Sequence, residues 1–380
     1  MLRQLELDRA FIAEKDTQIF QLEAQISALQ RSLSSLQADK RTVQQRLDSY
    51  QYPVLTLPNE IVSEIFLRCL PPYPTPPPLV GILSPTFLTQ ICRQWREVSH
   101  ATPRLWRAID LTESDDDDDS LVRDDFQLGD DQRASLATLW MRRAGGCALS
   151  IIAFNAEPII SSLIPHRSQW EHIKLYGVRA DISPSIFEEA TPRLRTLEVY
   201  TFGPSSIHAP VQFRVQDAPL LRRVLLPIDG GMYPVLPWTQ LTHLDLHKVS
   251  GDDCANVLGR VPQLVDCNLT LRRHNPELTS SDDHAPDILL RSLEHLRLDL
   301  DIDSVADPKF IHRFVVPSLR SLQIPEVFIQ PNPVESLKKF ISKSGCKLED
   351  LFIIEPVVAE SLYRTEFPSI ARIECELDSE

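Results

Sequence analysis

Apolar residues recur every seven positions along the first 50 residues, a stretch that contains neither Pro nor Gly. A second apolar row follows three residues after the first. The two rows are Leu5, Ile12, Ile19, Ile26, Leu33 and Leu47, and Leu22, Leu29, Leu36 and Val43. Interleaved heptad rows predict a coiled-coil helix over residues 1–50. Lys40 interrupts the first row, and Asp8 and Lys15 occupy the second, so the pattern is strongest over residues 19–47.

A narrow apolar stripe of this kind requires a partner helix. Ile in the first row and Leu in the second favour a parallel two-stranded coil, which predicts a homodimer through residues 19–47. The alternative is a helix docked on the chain's own body. The flanking positions are mainly Gln and Ser, so charge pairing does not identify the partner.

The segment after residue 52 has the pattern of a small helical unit. Leu57 and Pro58 precede apolar residues at helical spacing, Ile61, Ile65 and Phe66, so a helix is predicted to begin here.

A proline-rich loop, Pro71 to Pro78, separates this helix from a second one. The apolar spacing predicts that the second helix spans residues 87–98. The unit is too short to bury its own apolar surface. Ile91, Trp95 and Trp106 are expected in its core.

From residue 170 onward, the pattern L-x-x-L-x-L recurs with substitutions at intervals of 20 to 29 residues. Its nine instances begin at Trp170, Leu194, Leu221, Leu241, Leu264, Leu293, Leu319, Leu348 and Ile370. This is the leucine-rich-repeat period, with one strand and one returning segment per unit. The predicted fold is α/β: a coiled-coil helix, a small all-α unit and a leucine-rich-repeat-like solenoid. A single parallel β-helix is the structural rival, but its turns would require more Gly.

Strand alternation directs the L positions of each repeat inward and the x positions to the solvent face. We interpret six solvent-face residues on two of the predicted strands as a protein-recognition patch. They are His243, Asp245, His247, His295, Arg297 and Asp299. The alternative is ordinary solvated strand surface.

Charge is distributed unevenly along the chain. The net charge is −14, and residues 113–131 contribute −9 of it, with ten acidic residues and one Arg. Such a run predicts a solvated acidic linker, residues 112–132, between two less charged regions. An acidic chain of this kind disfavours nucleic-acid binding, which needs clustered Lys and Arg.

The sequence also predicts the compartment and the state of the thiols. Its apolar runs are too short to cross a bilayer, and the N-terminus lacks the apolar core of a secretion signal. We therefore expect an intracellular protein, cytoplasmic or nuclear or both, with no membrane partner. Seven scattered cysteines without a C-x-x-C pair predict reduced thiols, with neither a disulfide framework nor a zinc site.

Candidate chemistry is sparse. The chain has neither a phosphate-binding glycine loop nor a G-x-S-x-G nucleophile motif. His243 and His247 would lie about 13 Å apart on a strand, too far to share a metal ion. We predict no catalytic residues, no cofactor and no metal. A hydrolase on a β-solenoid would require carboxylates clustered on one face, which the predicted solvent face does not line up.

Three motifs in order resemble an F-box, the helical module that docks on the Skp-type adaptor of cullin-RING ubiquitin ligases. They are Leu57-Pro58-x-Glu60-Ile61-x-x-x-Ile65, Ile91-Cys92-Arg93-x-Trp95 and Pro103-x-Leu105-Trp106. The resemblance covers about residues 53–111, and the proline-rich loop is its main departure from the family pattern. The following helix-to-strand passage, 135–151, also resembles the F-box repeat proteins abundant in fungi.

The resemblance implies that Leu57, Pro58, Ile61 and Ile65 contact a Skp-type adaptor, and that Cys92 and Trp95 are buried. It implies a non-catalytic substrate adaptor, with cullin-RING ligase subunits as further partners and an unknown target protein bound by the repeats. The expected domains are 1–50, 53–111, 112–132 and 133–380. The alternative function is a coiled-coil and repeat scaffold without a ubiquitin-ligase role.

Overall fold

The computed structural model describes twelve stretches of the chain. They are residues 2–49, 57–112, 129–154, 156–177, 184–187, 189–200, 214–215, 217–227, 235–272, 287–301, 304 and 306–376. The chain divides into two compact units, Met1–Val62 and Ser63–Glu380. Most of the predicted acidic linker, residues 113–128, lies outside the described residues.

One long helix and eight shorter ones occur in the described stretches. They are α1 (Leu2–Ser49), α2 (Asn59–Cys69), α3 (Pro85–Ile91), α4 (Arg93–His100), α5 (Asp130–Ala144), α6 (Glu157–Leu163), α7 (Gly251–Leu258), α8 (Pro333–Ser344) and α9 (Glu360–Glu366). The helix predicted over residues 1–50 is confirmed as α1. Pro58 lies just before α2, and its carbonyl accepts hydrogen bonds from the N–H groups of Ile61 and Val62.

The strands of the described residues form an eleven-stranded sheet and a two-stranded sheet. The large sheet contains β1 (Ala108–Asp110), β2 (Leu149–Phe154), β3 (Trp170–Tyr176), β4 (Thr196–Val199), β5 (Arg223–Pro227), β6 (His243–Val249), β7 (Asp266–Leu271), β9 (His295–Leu300), β11 (Ser321–Pro325), β12 (Asp350–Ile354) and β13 (Arg372–Glu376). The small sheet pairs β8 (Ile288–Leu289) with β10 (Phe314–Val315). The fold is therefore α/β, with a long N-terminal helix.

Strands of the large sheet stand side by side in the order in which they occur along the chain. Every neighbouring pair is parallel. Parallel neighbours require the chain to return to the same end of the sheet between strands, and short helices such as α6, α7, α8 and α9 lie in these returns.

All nine strands predicted from the repeat pattern are confirmed, as β3 to β7, β9 and β11 to β13. The inward positions are buried in every repeat, apart from the partly exposed Cys375 in the last one. Side chains on a strand alternate between faces, so the same spacing leaves the intervening positions accessible. The core of the sheet therefore consists of the leucine-rich positions of the sequence pattern.

Helix α5 ends at Ala144. Gly145 follows the last helical residue with a φ of 58°, a left-handed value that favours glycine. Asp130 and Asp131, the end of the acidic run, lie in the first turn of this helix, where negative charge is favourable.

The single helix predicted over residues 87–98 is wrong, because two helices occupy this stretch. Cys92 separates α3 from α4 with an extended backbone, φ −154° and ψ 170°. Its sulfur accepts a hydrogen bond from the N–H of Trp95 and caps the start of α4. An apolar spacing projected through this break misassigns Ile91, the last residue of α3.

In the part of the chain that the structure describes, every helix is too short or too polar to cross a membrane.

Candidate protein-binding surfaces

Helix α2 separates its apolar residues into two rows. Val62 and Phe66 are buried, whereas Ile61 and Ile65 remain 50% and 43% exposed. Residues four apart lie above one another on a helix, so each pair forms one row. The outward row leaves two branched aliphatic side chains accessible.

The residues that precede α2 have mixed exposure. Pro58 is exposed, and Leu57 is only half-buried. The four residues predicted to contact an adaptor thus all have accessible surface. This placement is compatible with a binding role.

The expected core of the helical unit is correct for one of its three residues. Trp106 is fully buried, and Trp95 is partly buried with its ring edge-on to Phe66, centroids 4.8 Å apart. Ile91 is 48% exposed, so the core prediction for this residue is wrong. Ile91 is the last residue of α3. Because Cys92 breaks the helix, α4 does not continue the helical phase of α3, and the apolar spacing does not predict the exposure of Ile91. The expected burial of Cys92 is likewise only partial.

The proline-rich loop packs on the first strands of the sheet. The Ser150 hydroxyl on β2 donates to the carbonyl of Pro74 at 2.6 Å, and the Tyr73 ring lies edge-on to His172 of β3 at 5.6 Å. The Tyr73 hydroxyl also donates to a Glu171 carboxylate oxygen at 2.7 Å. Burial of the ring raises the pKa of Tyr73, and the hydrogen bond to Glu171 raises it further. The loop therefore covers part of the solvent face at β2 and β3.

The six residues of the predicted patch lie on β6 and β9, which are not neighbours. Strand β7 lies between them, so their side chains are about 10 Å apart across the sheet. The strand register forms three rows of three residues. The rows are His243, Asp266 and His295; Asp245, Asn268 and Arg297; and His247, Thr270 and Asp299. We call these nine residues the β6–β9 patch.

Polar contacts link the side chains of the β6–β9 patch. The Asn268 amide donates to a carboxylate oxygen of Asp245 at 3.1 Å, and the other oxygen of Asp245 lies 3.1 Å from Nε2 of His247. The Thr270 hydroxyl and Nδ1 of His247 are 3.3 Å apart. The hydrogen bond from Asn268 orients the Asp245 side chain, and the contact between Thr270 and His247 links the third row across the two strands.

His243 lies in the first row of the β6–β9 patch, at the start of strand β6. Burial lowers its pKa, and the neighbouring Arg223 lowers it further. The imidazole therefore favours its neutral form, which can both donate and accept a hydrogen bond.

An aromatic row on the solvent face was missed by the sequence interpretation. Tyr176 and Tyr200 stack with centroids 4.8 Å apart and planes 17° apart, and Phe154 lies 5.8 Å from Tyr176. The Lys174 ammonium lies over both tyrosine rings, at 5.2 and 5.1 Å. Tyr176 and Tyr200 come six residues after their repeat anchors, beyond the L-x-x-L-x-L motif. Continuing the alternation by one more step would have found them.

Charge and burial shape this aromatic row as well. Burial raises the pKa of Tyr200 to about 12, and Glu198 adds to the rise. Burial alone would lower the pKa of Lys174, but its bond to Tyr176 and the nearby Tyr200 and Glu198 raise it overall. The row therefore presents two stacked tyrosine rings beside one lysine cation, which suits contact with a protein surface.

Within the described stretches, no three His, Cys, Asp or Glu side chains are placed to hold a metal ion together. His243 and His247 lie on one strand, as predicted, and point to the same face in different rows.

Comparison with known proteins gives no assignment: no protein-family model matches the chain, and no curated protein matches it.

Proposed function

We propose that this chain is the substrate-recognition adaptor of a Skp-cullin-F-box type ubiquitin ligase. In this proposal, residues 53–111 act as an F-box and bind a Skp-type adaptor. The strand-per-repeat region acts as a leucine-rich-repeat-like solenoid and binds a target protein on its solvent face. Catalysis belongs to other ligase subunits, and this chain raises the concentration of the target near the ubiquitin donor.

The observation that carries the proposal is the outward apolar row of α2. Ile61 and Ile65 are aliphatic, exposed and four residues apart, at the place where the F-box resemblance puts the adaptor contact. Burying one such side chain contributes about 1.5–3 kcal/mol, and association costs at least about 4 kcal/mol. Several anchors must therefore act together, which the combination with Leu57 and Pro58 allows.

Replacing anchors in pairs tests the adaptor interaction. We expect Leu57→Ala with Pro58→Ala, and separately Ile61→Ala with Ile65→Ala, to weaken binding of a purified Skp-type adaptor by about 10- to 100-fold. Isothermal titration measures the dissociation constants, and far-UV circular dichroism checks that the variants remain folded.

The matched control is Val357→Ala with Leu362→Ala, a pair of exposed apolar residues in the repeat region. It should leave adaptor binding unchanged. If both anchor pairs bound the adaptor as tightly as the unaltered chain, the assignment of these anchors would be lost. If the unaltered chain bound no Skp-type adaptor, the scaffold function would replace the ligase function.

The β6–β9 patch is the proposed target-binding surface, supported by the hydrogen bond between Asn268 and Asp245 and by the accessible Arg297. Charge reversal by Asp245→Arg with Arg297→Glu preserves the net charge but inverts the local pattern. We expect the set of proteins captured by the purified chain to lose its main members, as measured by quantitative mass spectrometry.

The control for the patch is Glu335→Lys with Lys339→Glu, an exposed ion pair on α8. This exchange should not alter the captured set. An unchanged set with the patch variant would exclude the β6–β9 patch, and the aromatic row of Tyr176 and Tyr200 would become the next surface to test.

A further inference from the structure

The long helix α1 presents its heptad stripe to solvent. Nine apolar side chains of the two rows between Ile12 and Leu47 are each 53–70% exposed. Every described side chain from Phe11 to Leu47 is classed as exposed. Most helices in proteins are stabilised by packing of one apolar face, so a helix of this length with a bare stripe calls for a covering partner.

The period of the stripe identifies the kind of partner. A straight α-helix drifts by about 20° per heptad relative to a strict seven-residue repeat. Over the five heptads from Ile12 to Leu47 the drift would reach roughly 100°, which moves the row off any flat surface. A strict repeat stays in contact only with a second helix that supercoils around the first.

The other described helices of the chain are too short to be this second helix. The stripe from Ile12 to Leu47 is roughly 52 Å long at 1.5 Å per residue. The next longest helix, α5, has 15 residues and measures roughly 22 Å. A second copy of α1 has both the length and the period that the stripe requires.

Residue types along the stripe select two parallel strands. Ile19 and Ile26 in the first row, with Leu22 and Leu29 in the second, are the distribution that favours a parallel dimer. In that arrangement each row meets its own counterpart. Residues beside the two apolar rows also face each other between the copies, and none of these pairs brings two like charges together. These pairs are Gln18 with Glu23, Gln25 with Gln30, Ser32 with Gln37, and Asp39 with Gln44.

Lys40, the one interruption of the first row, has a counter-ion in the parallel, in-register arrangement. A first-row side chain packs beside the residue that precedes its counterpart, which is Asp39 of the second copy. An antiparallel coil centred on the same stripe would instead place the Lys40 ammonium near Leu22. The two Lys40 residues face each other in this register, and the Asp39 carboxylate of each copy offsets their repulsion; a single polar first-row residue is a known determinant of register.

We propose that two copies of this chain associate through α1 in a parallel, in-register, two-stranded coiled coil from Ile19 to Leu47. The dimer joins two copies of every binding surface of the chain. Two target-binding surfaces on one particle raise the apparent affinity for a target that presents repeated sites. This inference does not depend on the ligase function.

Light scattering on the full-length chain measures the association directly. We expect a mass of twice 43.2 kDa for the unaltered protein at micromolar concentration. Leu29→Asp with Leu36→Asp places two charges in the stripe and should weaken dimerisation by at least about 100-fold. Ser27→Asp with Ser34→Asp adds the same charges at the same spacing outside the stripe and should remain dimeric.

Cysteine cross-linking tests the orientation. In the parallel register the two Leu36 positions face each other, so Leu36→Cys should form a disulfide-linked dimer under mild oxidation, whereas Ser34→Cys should not. A monomeric unaltered chain, a trimer or tetramer, or a dimer that survives the stripe variant would each overturn the coiled-coil dimer. A dimer in which Leu36→Cys fails to cross-link would overturn the parallel register.

Discussion

Replacing Trp106 by Ala is expected to lower the free energy of unfolding by about 3–5 kcal/mol. Trp106 is fully buried, and its indole N–H donates to the carbonyl of Ser99 at 2.8 Å. The Trp140 ring packs edge-on against it at 5.0 Å, and the Arg143 guanidinium lies 4.4 Å from its centroid. One side chain thus joins the end of α4 to α5, and its removal leaves a large cavity between them.

Thermal unfolding monitored by far-UV circular dichroism measures this loss. A change of that size in a unit of about 320 residues lowers Tm by about 4–8 °C. Trp106→Phe keeps an aromatic ring but removes the donor to Ser99, so we expect a smaller loss of about 1–2 kcal/mol. Leu139→Ala, half-exposed on α5, is the control and should change stability by less than about 1 kcal/mol.

A loss below about 1 kcal/mol for Trp106→Ala would show that neighbouring side chains collapse into the space. The junction between α4 and α5 would then not depend on this residue.

Replacing Glu326 by Ala is expected to destabilise the C-terminal repeats by about 2–4 kcal/mol. Glu326 is a fully buried carboxylate directly after β11. One of its oxygens accepts from the N–H groups of Val357 and Val358 at 3.0 and 3.1 Å, and from the Tyr363 hydroxyl at 3.0 Å. Without the carboxylate, these three donors lose their shared acceptor.

Hydrogen exchange localises the effect of this substitution. The amides of Val357 and Val358 should exchange faster in Glu326→Ala, together with those of α9, while amides of β3 and β4 remain unchanged. Glu335→Ala on the exposed face of α8 is the control. If the exchange of residues 355–366 did not change, Glu326 would not hold this turn in place.

Tyr363 connects the Glu326 cluster to pH. Burial, followed by the bond to Glu326, raises the pKa of this phenol above its ordinary value of 10.0. A raised pKa in the folded state contributes stability that is complete below pH 10 and is lost as the pH rises through the folded value. Tyr363→Phe should therefore lower the free energy of unfolding by about 1 kcal/mol at neutral pH. Above pH 10 the stability of this variant should fall less with pH than that of the unaltered chain, because the variant lacks the titrating phenol.

The repeat pattern predicted much of the fold from local spacing. Each L-x-x-L-x-L instance, such as Leu241 to Leu246, became a strand whose apolar positions are buried. Burial of one sheet face forces an alternation of two, and this alternation is visible in sequence without knowledge of neighbours. The inward and outward faces of the nine strands were therefore accessible to sequence analysis.

The helical unit was predicted less well, because its geometry depends on one backbone break. The Cys92 thiol caps α4, and this places Ile91 at an exposed helix end although the spacing predicts a continuous helix. Apolar periodicity reports the phase of a helix only while the helix continues. A cysteine cap carries no strong sequence signal, so the break and the exposure of Ile91 could not be predicted.

The sequence also determined which side chains of the β6–β9 patch face solvent. His243, Asp245 and Arg297 were assigned to the outward face, and they lie there. Strand β7 lies between β6 and β9 and contributes Asn268 to the same surface. The solenoid prediction implied that the strand of the Leu264 repeat lies between the other two, whereas the contact between Asn268 and Asp245 depends on the register of the folded strands.

The same division holds for the whole protein. Heptad and repeat spacing determined a long N-terminal helix followed by one strand per repeat, since each of these patterns reflects the burial of one face of one element. Tertiary structure decided the contacts between distant segments: Tyr73 of the proline-rich loop with His172, the aromatic stack of Tyr176 and Tyr200, and Glu326 beneath Val357. Such contacts depend on the packing of separate elements, and only the folded chain brings their side chains together.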